Sequence, residues 1–291
     1  MKASVPSKLF DLCNYLFMIL LVIIMLFPFI HIAAISLSSA EPVLQGRVSL
    51  WPINFNVASY KKVLSDAQVL IAYKNTILYT VVGTTINMIL TTMIAYALAK
   101  RKMVLRKLFT FMITFTMLFG GGMIPSYLLV KQLHMINTMW AVTIPGAIST
   151  WNLLIMRQFF LAIPESLEES AMIDGYNDIQ IFFKIVLPLS KASLATIGLF
   201  YAVSHWNSFF VPFIYLNEKS KFPLQIILRS MVVEGNIQPP DQSSIMDNNQ
   251  FTVVQNIKYT VLMVATIPIL LVYPFIQKYF VQGVMIGSIK G

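Results

Sequence analysis

The chain has 291 residues, of which 57% are apolar and 11% charged, with a mean hydropathy of +0.73 and a formal net charge of +9. A soluble domain carries about 25% charged residues, so this composition excludes an ordinary soluble globule and points to a membrane protein. Its one cysteine, Cys13, forbids an internal disulfide, and no Cys/His spacing suits a metal, so no metal site is expected.

Six stretches lack Asp, Glu, Lys and Arg: 12–40, 75–99, 108–130, 132–156, 192–217 and 259–277. A helix needs roughly 20 apolar residues to cross about 30 Å of hydrocarbon. Allowing for polar ends, the spans are set at about 12–36, 75–99, 108–130, 137–160, 190–217 and 259–280, in one membrane domain covering 1–291. A cleaved leader is a second reading of the first stretch, with Lys2 and Lys8 ahead and SLSSA at 36–40 behind. A leader core runs only about 7–15 residues, and this stretch is longer.

Between the first and second spans, NVASYKKVLSDAQ (56–68) reads as a short amphipathic helix at the interface. The loop KRKMVLRK (100–107) carries five basic residues and no acid, so it is assigned to the cytoplasm. Alternation then places the N-terminus, 157–191 and the C-terminus inside, with 12 basic residues inside against 9 outside. The positive charge is thus topology rather than a nucleic-acid footprint. Gly120-Gly121-Gly122 with Pro125, Pro145-Gly146, and Pro268 with Pro274 interrupt three spans, either as packing kinks or as points lining a path.

Five of the 12 acidic residues lie between Glu165 and Asp178. Pro164 suits a helix start, and Glu165, Glu168 and Glu169 suit its positive end. Leu167 and Ala171 share a face. Asp174-Gly175 is a turn, and a second helix starts near Asn177, with Gln180 completing a capping box. Ile179, Phe182, Phe183 and Val186 form an apolar stripe expected to bury. This predicts a helix–turn–helix over 164–186, either a docking foot or a solvated loop.

The stretch Glu169-Ser170-Ala171-Met172-Ile173-Asp174-Gly175, then nine residues, then Ile185-Val186-Leu187-Pro188, resembles the E-A-A-x-x-D-G…I-x-L-P motif of ATP-binding-cassette importer permeases. Ser170 replaces the first Ala of that motif. The ending FVQGVMIGSIKG (280–291) also resembles the smaller, maltose-type permeases, and the whole chain looks similar to the branch serving complex sugars and alginate-type oligosaccharides. The resemblance implies an all-α fold of six transmembrane helices, the type I importer permease, with a cytoplasmic coupling helix. It implies that Glu169, Ser170, Ala171, Met172, Ile173, Asp174, Gly175 and Tyr176 dock on an ATPase subunit. Gly283, Gly287, Ser288 and Lys290 in the tail 281–291 would contact the same ATPases. Implied partners are a larger sister permease, two ATPase subunits that hold ATP and Mg, and an extracytoplasmic sugar-binding protein. No cofactor and no catalytic residue is expected on this chain.

Cargo would meet the stretch FYAVSHWNSFF (200–210), where Tyr201, His205, Trp206 and Asn207 combine aromatic faces with hydrogen-bonding groups. Trp151 and Asn152 form a similar pair, and Asn87 is a further candidate. Cross-helix hydrogen bonding within the bundle is the competing role for these residues. Asn236, Gln238, Asp241 and Gln242 in the loop 218–258 are the candidates for binding-protein contact. The alternative function is an ion-coupled secondary transporter or channel acting alone. Against it, the six stretches without Asp, Glu, Lys or Arg offer only His31, His134 and His205 as ionisable candidates. A membrane enzyme lacks any nucleophile-and-base pattern.

Overall fold

A computed structural model describes residues 5–233, 256–274 and 277. Every regular element among these residues is a helix. In chain order they are α1 (Val5–Ser36), α2 (Ala40–Leu44), α3 (Ala58–Ser65), α4 (Ala67–Ala99), α5 (Arg106–Leu118), α6 (Met123–Gln132) and α7 (Met139–Thr143). Then come α8 (Thr150–Leu161), α9 (Glu165–Ile173), α10 (Asp178–Ile181), a π-turn (Phe182–Val186), α11 (Leu187–Leu189) and α12 (Lys191–Trp206). The series ends with α13 (Phe210–Tyr215), α14 (Leu224–Val233) and α15 (Asn256–Pro274).

Two compact units divide the chain: one runs up to Val69 and includes Leu228–Pro268, and the other holds Leu70–Ile227 and the chain from Ile269. In the first unit, α1 is apolar on all sides and exposed along nearly its whole length, as suits a lipid-facing helix. Its C-terminal end is held by hydrogen bonds. Ser38 Oγ donates to Ala34 O (2.6 Å) and accepts from Ile53 N (3.0 Å), and Asn256 Nδ2 donates to Ser38 O (2.8 Å). Ala34, Ile35 and Val48 bury beside Val43 and Tyr259. Residues 58–65 are helical, as their amphipathic pattern predicts. Asp66 then caps α4, its Oδ1 accepting from Gln68 N at 2.7 Å.

Among the described residues, three helices are long and apolar enough to span a membrane: Lys8–Ser36, Ala67–Ala99 and Asn256–Pro274. They overlap the stretches predicted as the first, second and sixth spans, although α4 begins at Ala67 rather than 75, and most of the sixth stretch past Pro274 lies outside the described residues. The stretches predicted as the middle three spans are each covered by more than one helix. The third is α5 and α6, bent by 112° where Gly122 takes a φ of +84°. The fourth is α7 and α8, parted at Pro145-Gly146. The fifth stops at Trp206 and resumes at Phe210, with Pro212 in the first turn of α13. A second bend, of 83°, separates Asp178–Leu189 from Lys191–Trp206.

The core of the second unit explains why the foot sits where it does. Met156 and Phe160 of α8, Ala171 of α9, Ile181, Phe182 and Val186, Ile197 and Tyr201 of α12, and Ala95 of α4 bury together.

Candidate functional site: a charged foot and a neutral cavity

Helix α9 ends in a Schellman turn. Tyr176 N donates to Ala171 O (2.9 Å), Gly175 N donates to Met172 O (3.0 Å), and Gly175 holds a φ of +83° that a side chain would strain. The next helix opens with a complete capping box. Gln180 N donates to Asn177 Oδ1 (2.9 Å) and Asn177 N donates to Gln180 Oε1 (3.0 Å). Both features are those the sequence predicts. The apolar stripe forms in part, with Phe182 and Val186 buried as expected. Ile179 and Phe183 are 69% and 62% exposed, whereas Ile181 is fully buried. The π-turn over 182–186 inserts an extra residue and rotates the inward face, so Ile181 joins Phe182 and Val186 there in place of Ile179 and Phe183.

The two faces of α9 differ sharply. Ala171 is 4% exposed and belongs to the core, and Leu167 stays largely exposed. Glu169, Met172 and Ile173 face outward, with Ile173 86% exposed. Their i, i+3, i+4 spacing puts them on one strip. Ser170, Asp174 and Gly175 are also exposed, and Tyr176 is half-buried beneath the Lys184 ammonium, 4.7 Å from its ring centre.

Three of the five clustered acids are engaged within the chain. Lys100 Nζ meets Glu168 Oε2 at 2.5 Å and Asp178 Oδ1 at 3.0 Å, and Arg101 meets Glu165 at 3.3 Å. Lys100 also lies over the Tyr96 ring, 4.7 Å from its centre. Burial pulls the Lys100 pKa down, but hydrogen bonds to Glu168, Tyr96 and Asp178 outweigh it and leave the group well above the ordinary lysine value. Glu169 and Asp174 form no ion pair among the described residues. Lys100 and Glu168 are functional candidates that sequence reasoning missed. The available signal was five bases in 100–107 facing five acids in 165–178.

The second site is a cavity of 380 Å³ in the same unit. It brings together four predicted cargo residues: Asn87, Asn152, Tyr201 and His205. It also recruits Ser126, Ser149, Ser204, Ser208 and Tyr215, which sequence reasoning did not name. The break at Pro145-Gly146 forms part of its wall. Asn87 Nδ2 donates to the Gly146 carbonyl (3.0 Å), satisfying backbone freed by the broken helix. Asn87 Oδ1 is then the acceptor for His205 Nε2–H, at 3.0 Å. Tyr201 OH accepts from Ser149 N (3.0 Å) and pairs with Thr91 Oγ1 (2.7 Å). Gly83 permits this arrangement, because a Cβ there would sit 2.5 Å from the His205 ring.

The remaining predicted cargo residues lie elsewhere. Trp151 is 59% exposed and lines no part of this cavity. Trp206 packs edge-on against Tyr73, 5.9 Å between centres, and Asn207 Nδ2 donates to Val203 O of its own helix. Asn236, Gln238, Asp241, Gln242, Gly283, Gly287, Ser288 and Lys290 lie outside the described residues.

Similarity to known proteins agrees with this geometry. The chain is 44% identical over 285 residues (98% of this chain, 99% of the relative) to the polygalacturonan/rhamnogalacturonan transport system permease protein YtcP of Bacillus subtilis (strain 168). It is 25% identical over 293 residues to the lactose transport system permease protein LacG of Rhizobium radiobacter, covering 100% of both chains. Among solved structures, a chain of a bacterial ABC transporter involved in the import of the acidic polysaccharide alginate superposes with a TM-score of 0.86 at 34% identity, over 96% of this chain and 99% of that one. Residues 88–286 match the family described as binding-protein-dependent transport system inner membrane component, and they contain both the foot and nearly all of the cavity. The chain therefore belongs to that family, the permease subunits of ATP-binding-cassette importers.

Proposed function

We propose that this chain is the transmembrane subunit of an importer that carries acidic oligosaccharides, with uronic-acid chains as the substrate class. The relatives supply the cargo argument: YtcP is named for polygalacturonan and rhamnogalacturonan, and the structural neighbour imports alginate. The cavity supports a sugar path. It offers serine and tyrosine hydroxyls and two asparagine amides, and no Asp, Glu, Lys or Arg lines it. Such neutral hydrogen-bonding groups between apolar walls suit sugar hydroxyls.

The observation that carries the coupling mechanism is the outward strip of α9. Glu169 pairs with a base on an ATPase subunit, while Met172 and Ile173 enter its groove. Ala171 serves the turn from inside and does not touch the partner. The tail from Gly283 to Lys290 contacts the ATPase pair. ATP and Mg are held there, and the chain itself catalyses nothing. The foot and both termini are cytoplasmic, by the placement of Lys and Arg. A larger sister permease completes the path, and a binding protein approaches the loop that includes Asn236 to Gln242. Deleting 236–244 removes binding-protein stimulation of ATP hydrolysis; unchanged stimulation contradicts that contact.

Gentle purification from native membranes followed by mass spectrometry tests the assembly. A P-loop ATPase, a second permease and a binding protein are expected. The recovered binding protein then binds galacturonate oligosaccharides more tightly than neutral ones of equal length. Recovery of the chain alone, with other importers intact, supports the self-contained carrier instead.

A further inference from the structure

We propose that Lys100 is a positioning residue that fastens the foot to α4, so that a push on α9 moves both walls of the cavity together. The proposal rests on the ATPase docking of α9 argued above. Beyond the packing of Ala95 and Tyr96 against its core, the foot has one connection to the cavity along its own chain. It runs covalently through α10, the π-turn and α11 into α12, which carries Tyr201 and His205. That route passes an 83° bend. On its own it leaves α4 behind, although α4 supplies Asn87 and Thr91 to the same cavity network.

Lys100 closes this gap. It follows directly on α4, and its ammonium reaches both helices of the foot, through Glu168 on α9 and Asp178 on α10. It is held on the aromatic face of Tyr96, one turn earlier in α4. Tyr96 in turn packs on Phe160 and Phe182 and reaches the Asp178 carbonyl at 3.4 Å. The Lys100 and Glu168 side chains are 21% and 20% exposed, so the pair is shielded far more than Arg101–Glu165, at 73% and 48%. From Lys100 to Asn87 is 13 residues, about 20 Å of helix at 1.5 Å per residue. A continuous helix over that length transmits displacement as a rod.

The test uses the assembled importer in membranes, with Cys13→Ser and Ser204→Cys, and a membrane-impermeant methanethiosulfonate as the probe. With Lys100 present, ATP changes the labelling rate at 204 by about tenfold, within the usual range of coupling between distant sites. Lys100→Met hydrolyses ATP and stays associated, but the change falls below about twofold. Lys100→Arg restores it, and Glu168→Gln behaves like Lys100→Met, with the double variant no worse than either. A full ATP-dependent change in Lys100→Met overturns the clamp. If Lys100→Met fails to associate with the ATPase, Glu168→Gln decides: a full change there overturns the clamp as well. No ATP-dependent change in the Lys100 parent overturns the docking of α9, and the clamp with it.

Discussion

The foot and the cavity are both polar, but their polarity is organised differently. The foot uses ions: Lys100 with Glu168 and Asp178, and Arg101 with Glu165. The cavity uses neutral groups: the Asn87 amide satisfies the His205 ring and a freed carbonyl, and the Tyr201 hydroxyl satisfies Thr91 and the Ser149 amide. The cost of charge in hydrocarbon accounts for the difference. A charged contact suits a surface that must recognise one partner and hold a geometry at the membrane edge. A neutral network suits a wall that rearranges, since breaking it strands no ion. One helix, α4, runs between the two.

That contrast can be broken or sharpened by substitution, starting with the largest effect. Glu169→Lys and Ile173→Glu each place the wrong charge on the outward strip of α9. Each should weaken ATPase association more than about tenfold, the scale of an interface hot spot. Quantitative co-purification checks this, and normal assembly with normal transport removes the strip from the account. Next is Gly83→Val, whose Cβ meets the His205 ring at 2.5 Å. It should cost about 1–3 kcal/mol by overpacking and break the Asn87–His205 bond. The readouts are a lower Tm of the solubilised complex and reduced transport with the ATPase still bound.

Tyr201→Phe removes the hydroxyl that accepts from Ser149 N and pairs with Thr91. A loss of about 1–2 kcal/mol is expected from the stranded partners, again seen in Tm. The smallest effect belongs to Glu165→Gln. Its pair with Arg101 is largely exposed, so the change should stay below about 1 kcal/mol and leave transport intact. If Glu165→Gln matched Lys100→Met in its effect, shielding would not be what separates the two pairs.

The foot was legible because its information is local. The Asn177–Gln180 box and the Asp174-Gly175 turn are written within four residues, and both form as spelled. Legibility failed at Ile179 and Phe183, where a π-turn shifted a register that a 3.6-residue period cannot anticipate. The cavity was half legible. Asn87, Asn152, Tyr201 and His205 are large polar residues in apolar runs and so attract notice, but Ser126, Ser204 and Gly83 do not. Their roles depend on helices meeting across separations such as the 118 residues between Asn87 and His205. What holds the breaks in the middle stretches together was not legible, for a similar reason. A Pro-Gly pair marks a break, but only the partner amide of Asn87 shows why the break is stable.

The most direct test is which molecule touches the outward strip of α9. A photo-crosslinking side chain at Ile173, with a second at the also exposed Ile179 as a comparison, should be activated in native membranes. The account predicts a strong adduct from position 173 to the P-loop ATPase, reduced when Glu169 is also changed to Lys. An adduct only to lipid or to other membrane chains, with the ATPase present and bound, would contradict it.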